Sequence, residues 1–546
     1  MRLKVTIAVT ALAAALLAGI AGCGGSSGGG GGDAGVSTLR IAVGNGSSID
    51  SFNPLVTSCF TCQAAFRMMY PYLVQYNTDG SKIEGDFATS FQPSSDNTVW
   101  TFKTRKGATW SDGKPLTAED AAWTLQTLLK FKESAGATFA TWLVGIKSVK
   151  ATDPQTLVVT YEKPTGTALV NLSQIPILPQ HIWQQYATGD GSQLTKFSNE
   201  DPVTGGPFEL SKAAKEQYAL FAANPDYYGP EPSVKGFGFQ FFKSEDAVVN
   251  AVSSHETDAA IDVTTSAVKQ LESQSELNVE TLPGMDVMML VLNSSPHQEK
   301  NHELQNPQVR EAFDLALNRA NMVKVSQNGY GTVTGSLLPP ALKAWSDPSL
   351  AHPEFNVAKA NEILDSLGFK KGSDGTREAE GHPMSYQFPY PSGDDPRLIQ
   401  IIVNDFAAIG VKLNPVGQDI STWIEGIQGD NYAKFDMSIM DYGPTYDPSA
   451  QMSLPTCEQW GGLNLSGACN KAYDKLFGEQ LFQDEGPRHK SIDTLQQMVA
   501  EERPILPLYA RDTVTVSWSN VKVPLAGPLI INYESKDWLL TGPAGS

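Results

Sequence analysis

The stretch "ATWSDGKPLTAEDAAWTLQTLLKF" occupies residues 108–131. Asp112-Gly113 marks a turn, because glycine takes backbone angles that a side chain forbids. Thr117 stands at a helix N-cap, with Glu119 and Asp120 in the first turn beside the positive end of the helix dipole. The pattern is close to a capping box. Ala121, Leu125, Leu128 and Leu129 then fall on one helical face. The segment just before it, "TVWTFKTR" at 98–105, alternates as a strand does.

The same grammar extends in both directions. "TLRIAVG" at 38–44 is a buried strand, ended by Gly44, Asn45 and Gly46. Asn306-Pro307 opens a helix with Val309, Phe313, Ala316, Leu317 and Ala320 on one face. Asn356 caps another through Ile363, Leu364 and Leu367, stopped by Gly368. Leu398, Ile402, Phe406 and Ile409 mark a third, stopped by Gly410 and followed by the strand "VKLNPV". Pro487 opens a fourth through Ile492, Leu495 and Val499, ended by Pro504. A helix leading straight into a strand predicts α/β lobes. No repeat of solenoid length is visible.

The N-terminus carries different information. Arg2 and Lys4 form a positive head, and Val5 to Ile20 has no charge. This is the layout of a secretory signal, short for a spanning helix. Ile20-Ala21-Gly22-Cys23 resembles the bacterial lipoprotein signal, in which the cysteine thiol is acylated. Residues 1–22 are thus read as signal peptide, and the glycine-rich 23–36 as a flexible tether. Cys23 is expected to anchor an extracytoplasmic chain to the cell membrane by lipid alone.

The part beyond residue 22 of these 546 is too long for one core. Lys plus Arg is 40 and Asp plus Glu is 59, a net charge of −19. There is no basic stripe, so nucleic acid is not an expected partner. Five cysteines are present, and acylation of Cys23 leaves four. Outside the cytoplasm these read as two disulfides, and three connectivities are possible. The local pairing, Cys59–Cys62 and Cys457–Cys469, is preferred; the rival is a four-cysteine zinc site.

No catalytic set emerges. There is no Gly-x-Ser-x-Gly elbow and no Walker loop. "GYGTVTG" at 329–335 spaces its glycines wrongly for a dinucleotide fingerprint. His302-Glu303 lacks a second histidine four residues after the first, and the seven histidines are scattered. "SNVK" at 519–522 has no Lys-Thr-Gly companion. Neither enzyme activity, metal nor cofactor is expected.

The landmarks together resemble the extracytoplasmic solute-binding proteins of ABC importers, bacterial family 5, which includes dipeptide-, oligopeptide- and nickel-binding proteins. "WSDGKPLTAEDAAWTLQTLL" is similar to the family's Asp-Gly-x-Pro-Leu-Thr-Ala-Glu-Asp-Val signature. "TGGPFEL", "NPDYYG", "NPQVREAFDLALNRANMV", "FNVAKANEILDSLGF", "IIVNDFAAIGVKL" and "AEERPILPLY" follow in family order. Most of these motifs read as structural. Gly205 and Gly206 are expected at backbone angles a Cβ would forbid, and Arg310 is expected to pair with a local acid.

The resemblance implies an α/β, two-lobed periplasmic-binding-protein-like fold of type II, in its large three-subdomain form, with a hinge between lobes. Lobe one would take 37–78, 200–283 and 505–546, its subdomain 79–199, and lobe two 284–504. Two stretches would face the cleft. In "NPLVTSCFTCQ" at 53–63, a Cys59–Cys62 bridge would either hold Ser58, Phe60 and Thr61 toward the ligand or serve only as a staple. "KFDMSIMDYGPTYDPSAQM" at 434–452 resembles the family segment in which an Asp receives a peptide's α-ammonium. Anchoring on Asp447-Pro448 puts Pro444 at that position and leaves Asp441 displaced by three residues. Tyr442, Tyr446, Trp460 and Asn464 would supply aromatic walls and neutral polar groups. The implied role is a monomeric receptor that hands peptides to permease subunits. An oligosaccharide or other small solute is the alternative; a secreted hydrolase or a surface sensor stands further behind.

Overall fold

The computed structural model describes residues 38–521, apart from 45–47, 57–58, 78–79, 81, 233, 262, 351–353, 429–434 and 444–445. Cys23, Ser58 and Pro444 therefore lie outside the described residues.

Two long strands set the architecture. Leu277–Leu292 and Ile505–Trp518 pair antiparallel along most of their lengths, with a register shift between Pro283 and Val287. On one side of the shift, Leu277, Val514 and Val516 pack with Val248, Val252, Val268 and Leu271. On the other side, alternate residues enter different cores. Met288, Leu290 and Leu292 join Phe313, Ile402 and Phe406, whereas Val287, Met289 and Val291 join Trp423, Ile492 and Leu495. Burial on both faces explains the unbroken apolar run "VMMLVL". Each strand thus leaves the core of one lobe and enters that of the other. One nine-stranded sheet spans both lobes through this pair.

In the first lobe, Thr38–Val43 pairs in parallel with Gly236–Phe241 and with Ala259–Ala260. Its smaller sheet orders Ala88–Pro93, Val99–Thr104, Thr156–Tyr161 and Ile146–Asp153, with helix Ala118–Lys130 packed on it. The Thr117 capping box forms: the Thr117 hydroxyl accepts from the Glu119 N–H at 3.3 Å, and the Thr117 N–H donates to Asp120 Oδ2 at 3.0 Å. Gly113 has φ of 79°, as its turn requires. Gly205 and Gly206 do not have positive φ. Space excludes their side chains instead: a Cβ on Gly206 would strike the Met68 carbonyl, and one on Gly205 would crowd Pro71 and Trp110.

The second lobe contains helices at Pro307–Ala316, Val357–Ser366 and Pro396–Ala408, N-capped by Asn306, Asn356 and Asp395; the first is shorter than expected, because the chain turns extended at Leu317 and Ala320 belongs to the next helix, Arg319–Ser326. The last helix, Glu485–Glu502, starts two residues before Pro487. Proline is tolerated there because N–H groups of a first helical turn have no intrahelical partner. Among the described residues Arg310 makes no salt bridge with an acid. It donates to the carbonyls of Glu502 and Leu304 at 2.7 and 2.9 Å, and burial pulls its pKa down to about 10.

Both local disulfides are present. Cys59–Cys62 sits at the head of helix Phe60–Met69 in the first lobe, and Cys457–Cys469 closes a loop in the second. The two pairs lie in different lobes, which removes the four-cysteine zinc alternative. No helix among the described residues is long and apolar enough to cross a membrane.

Candidate functional site in the cleft between the lobes

The floor of the cleft is built where the crossing strands change lobes. Strand Met437–Tyr442 lies antiparallel beside Leu277–Leu292, with Asp441 opposite Met288. Arg511, on the other crossing strand, donates to Asp441 Oδ2 at 2.7 Å and to Asp286 Oδ2 at 3.4 Å. Gly443 follows, packed against the Asp286 carboxylate, which would have to move to admit a Cβ. Asp394 stands near enough to feel both charges. Burial first, and then the Asp441 carboxylate, push its pKa up to about 6, partly offset by Arg511. Three carboxylates therefore surround one guanidinium. Near neutral pH the floor carries an excess of negative charge, the field a cationic group seeks.

The walls meet across the cleft. Tyr446 of the second lobe is buried, with its ring 5.0 Å from that of Tyr76 in the first. Gly80, at φ of 69°, lets the same ring lie against the backbone. Further out, Asn97 donates to Asp484 at 2.7 Å, and the hydroxyls of Thr165 and Thr167 donate to the Leu481 carbonyl at 3.3 and 3.2 Å. These contacts join segments that are remote in sequence, as a hinged pair of lobes requires.

The residues picked out from sequence divide into two groups. Tyr442 and Tyr446 share the core that takes Val287 and Met289, whereas Asp441, opposite Met288, projects from the other face of its strand and meets Arg511. Tyr442 is half-buried, and burial raises its pKa. Asn464 is instead spent on its own loop. Its amide donates to the Thr456 and Ala468 carbonyls, both at 2.9 Å, and its oxygen accepts from Ser466 and Gly467. Such a group holds the disulfide-closed loop and has little left for a solute. Trp460 donates to Ala468 O at 3.0 Å and lies edge-on to His297 at 5.7 Å. It belongs to the same loop. Thr61 is fully buried in the helix after Cys59, so the bridge does not aim it outward. Phe60 is the first residue of that helix.

Arg511, Asp286, Asp394 and Tyr76 were not anticipated. For Arg511 the signal was available: Arg511-Asp512 interrupts the apolar strand "ILPLYARDTVTVSW". Asp447, the anchor of the motif reading, is structural. It is buried and accepts from Arg488 Nη2 at 2.6 and 2.8 Å.

Two lobes joined by two crossing strands, with charged groups at the crossing, define a hinged solute-binding protein. The chain belongs to the bacterial extracellular solute-binding proteins, family 5, whose model matches residues 82–462. It is similar to a dipeptide-binding protein of Pseudomonas aeruginosa, 26% identical over 470 residues, covering 82% of this chain and 84% of the relative. Its fold is that of NikZ from Campylobacter jejuni in complex with Ni(L-His), with a TM-score of 0.77, 21% identity, and coverage of 92% of this chain and 99% of that one. The oligopeptide-binding protein AppA of Bacillus subtilis, in complex with a nonapeptide, superposes similarly, with a TM-score of 0.76, 21% identity, and coverage of 92% and 99%.

Proposed function

We propose that this protein is the lipid-anchored, extracytoplasmic receptor of an ABC importer, which closes its lobes on a short peptide and delivers it to permease subunits. The observation that carries the peptide reading is the acidic excess of Asp286, Asp394 and Asp441 around Arg511 at the hinge. A peptide's α-ammonium entering a closing cleft must exchange its water for carboxylates, and in this reading Asp441 supplies one. Relatives named as peptide-binding support the same reading. The sugar alternative loses ground, because the Tyr446 ring is already covered by Tyr76 and Asn464 is committed to its loop.

A thermal-shift screen tests the ligand class, since a ligand that binds only the native state raises the midpoint. Free di- to hexapeptides are expected to raise it, and their N-acetylated forms to raise it far less. A shift confined to oligosaccharides would overturn the peptide reading. The anchor is tested separately. Cys23→Ser should move the protein out of the membrane fraction, into the medium or into uncleaved precursor; unchanged detergent partitioning would contradict the anchor.

A further inference from the structure

A second group of polar side chains lies in the second lobe, remote from the cleft. Asp436 marks that end of strand Met437–Tyr442, about 17 Å along the strand from Asp441 at the other. Here the turn His302–Gln305 packs beneath a two-residue hairpin whose strands are Glu378–Ala379 and His382–Pro383. Both residues of the hairpin turn are left-handed, Glu380 at φ of 53° and Gly381 at 88°. Asparagine or glycine is the usual choice at the first of these, so turn chemistry does not explain a glutamate there.

Glu303 is the focus. Its side chain is fully buried, and its Oε1 accepts from the Tyr386 hydroxyl at 2.7 Å. Its Oε2 is buried with no hydrogen-bond partner among the described residues. A buried carboxylate oxygen left so is costly, and burial pushes the Glu303 carboxyl up. The His382 Nε2 stands 3.6 Å from that oxygen. This is too long for a hydrogen bond. It is the edge expected between two ligands of one tetrahedral ion, roughly 3.3–3.6 Å for bonds of about 2.0–2.2 Å. Glu380 offers a third donor, and the three ligand atoms lie within 4.8 Å of one another. A cavity of about 660 Å³, lined by Asn301, His302, Glu380, His382, Gln387 and Asp436, opens beside them and gives an ion and its water a path in.

We infer that Glu303, Glu380 and His382 form a site for one divalent transition-metal ion of the zinc type, clamping the 378–383 hairpin onto the 302–305 turn. Two carboxylates and an imidazole suit Zn²⁺, with water completing the shell. The Tyr386 hydroxyl is the outer partner that orients the Glu303 carboxylate by holding Oε1, leaving Oε2 for the metal. Sequence alone concealed the group, because its members are separated by 77 positions and no two of them have helical metal-ligand spacing.

The test uses the mature chain, stripped with a chelator and titrated with Zn²⁺ by calorimetry. One equivalent should bind. His382→Ala and Glu380→Gln, both at accessible positions, should each weaken binding at least tenfold while the metal-free protein melts as the wild type does. Zinc-edge absorption should show one imidazole, oxygen ligands and no sulfur. Glu303→Gln should also lose binding, but its burial makes folding a concern, so the two accessible variants decide. Undiminished zinc binding by His382→Ala, sulfur in the metal's coordination shell, or no binding at millimolar Zn²⁺ would each overturn the site.

Discussion

Asp441→Asn should weaken binding of a free dipeptide or tripeptide roughly thirtyfold, about 2 kcal/mol. The loss stays at the low end of the range for charge pairs for two reasons. Asp441 is 45% exposed in its side chain, and it shares its charge with Arg511. The substitution removes one carboxylate and leaves the guanidinium less neutralised, so both changes disfavour an ammonium. An N-acetylated peptide should bind wild type and variant about equally, since its charge is already gone. The pH dependence follows from Asp394. Its folded pKa is raised to about 6, so the folded chain holds a proton there that the unfolded chain has released. Its contribution to stability is present below the unfolded carboxylate value and is lost as pH rises through about 6. Peptide binding should run the other way, strengthening between pH 5 and 7 as the carboxylate ionises. In Asp441→Asn that inflection should move to lower pH, because the Asp441 charge is one of the causes of the shift. Calorimetry across pH reads both effects; full affinity for a free peptide in Asp441→Asn would end the role given to this residue.

The largest effect on stability is expected at Asp447→Asn, a loss of about 3–5 kcal/mol. Asp447 and Arg488 are both buried, with side chains 6% and 4% exposed. The guanidinium also donates to Gln480 and Ser449 and lies 4.8 Å from the Trp345 ring centroid. Removing the carboxylate charge leaves that guanidinium inside the second lobe without its counter-ion. Gln480 and Ser449 accept from Nε and Nη2 but carry no charge to replace the carboxylate. Urea unfolding of the mature chain gives the change directly. A change below about 1 kcal/mol would mean that water reaches the arginine when its partner is gone.

These two aspartates show how unevenly the sequence discloses the molecule. Caps and turns were legible because they are local. Thr117, Asn306 and Asn356 each announce a helix by a side chain acting two or three residues away. The order of the family's motifs carried the two-lobed fold. The cleft floor was only half legible, because it is assembled by tertiary pairing. Asp286, Asp394, Asp441 and Arg511 come from four segments: the pairing of the crossing strands and Met437–Tyr442 sets three of them side by side, and the turn before helix Pro396–Ala408 brings Asp394 near. Asn464 shows a related effect of tertiary context. A neutral polar residue near an aromatic looks like a solute contact, but a short disulfide-closed loop has backbone groups of its own to satisfy. Gly205 and Gly206 taught the converse: the constraint is real, but it comes from Met68 and Trp110 pressing on the chain, not from φ.

Hydrogen exchange on the mature chain, with and without a saturating free tripeptide, tests capture between the lobes most directly. Peptide should slow exchange on both sides of the cleft at once, over residues 74–85 in the first lobe and 437–447 in the second, with the crossing strands near Asp286 and Arg511 protected as well. The 302–305 turn and the 378–383 hairpin, remote from the cleft, should be unchanged. Protection confined to one lobe, or none at all with the peptide demonstrably bound, would contradict the account.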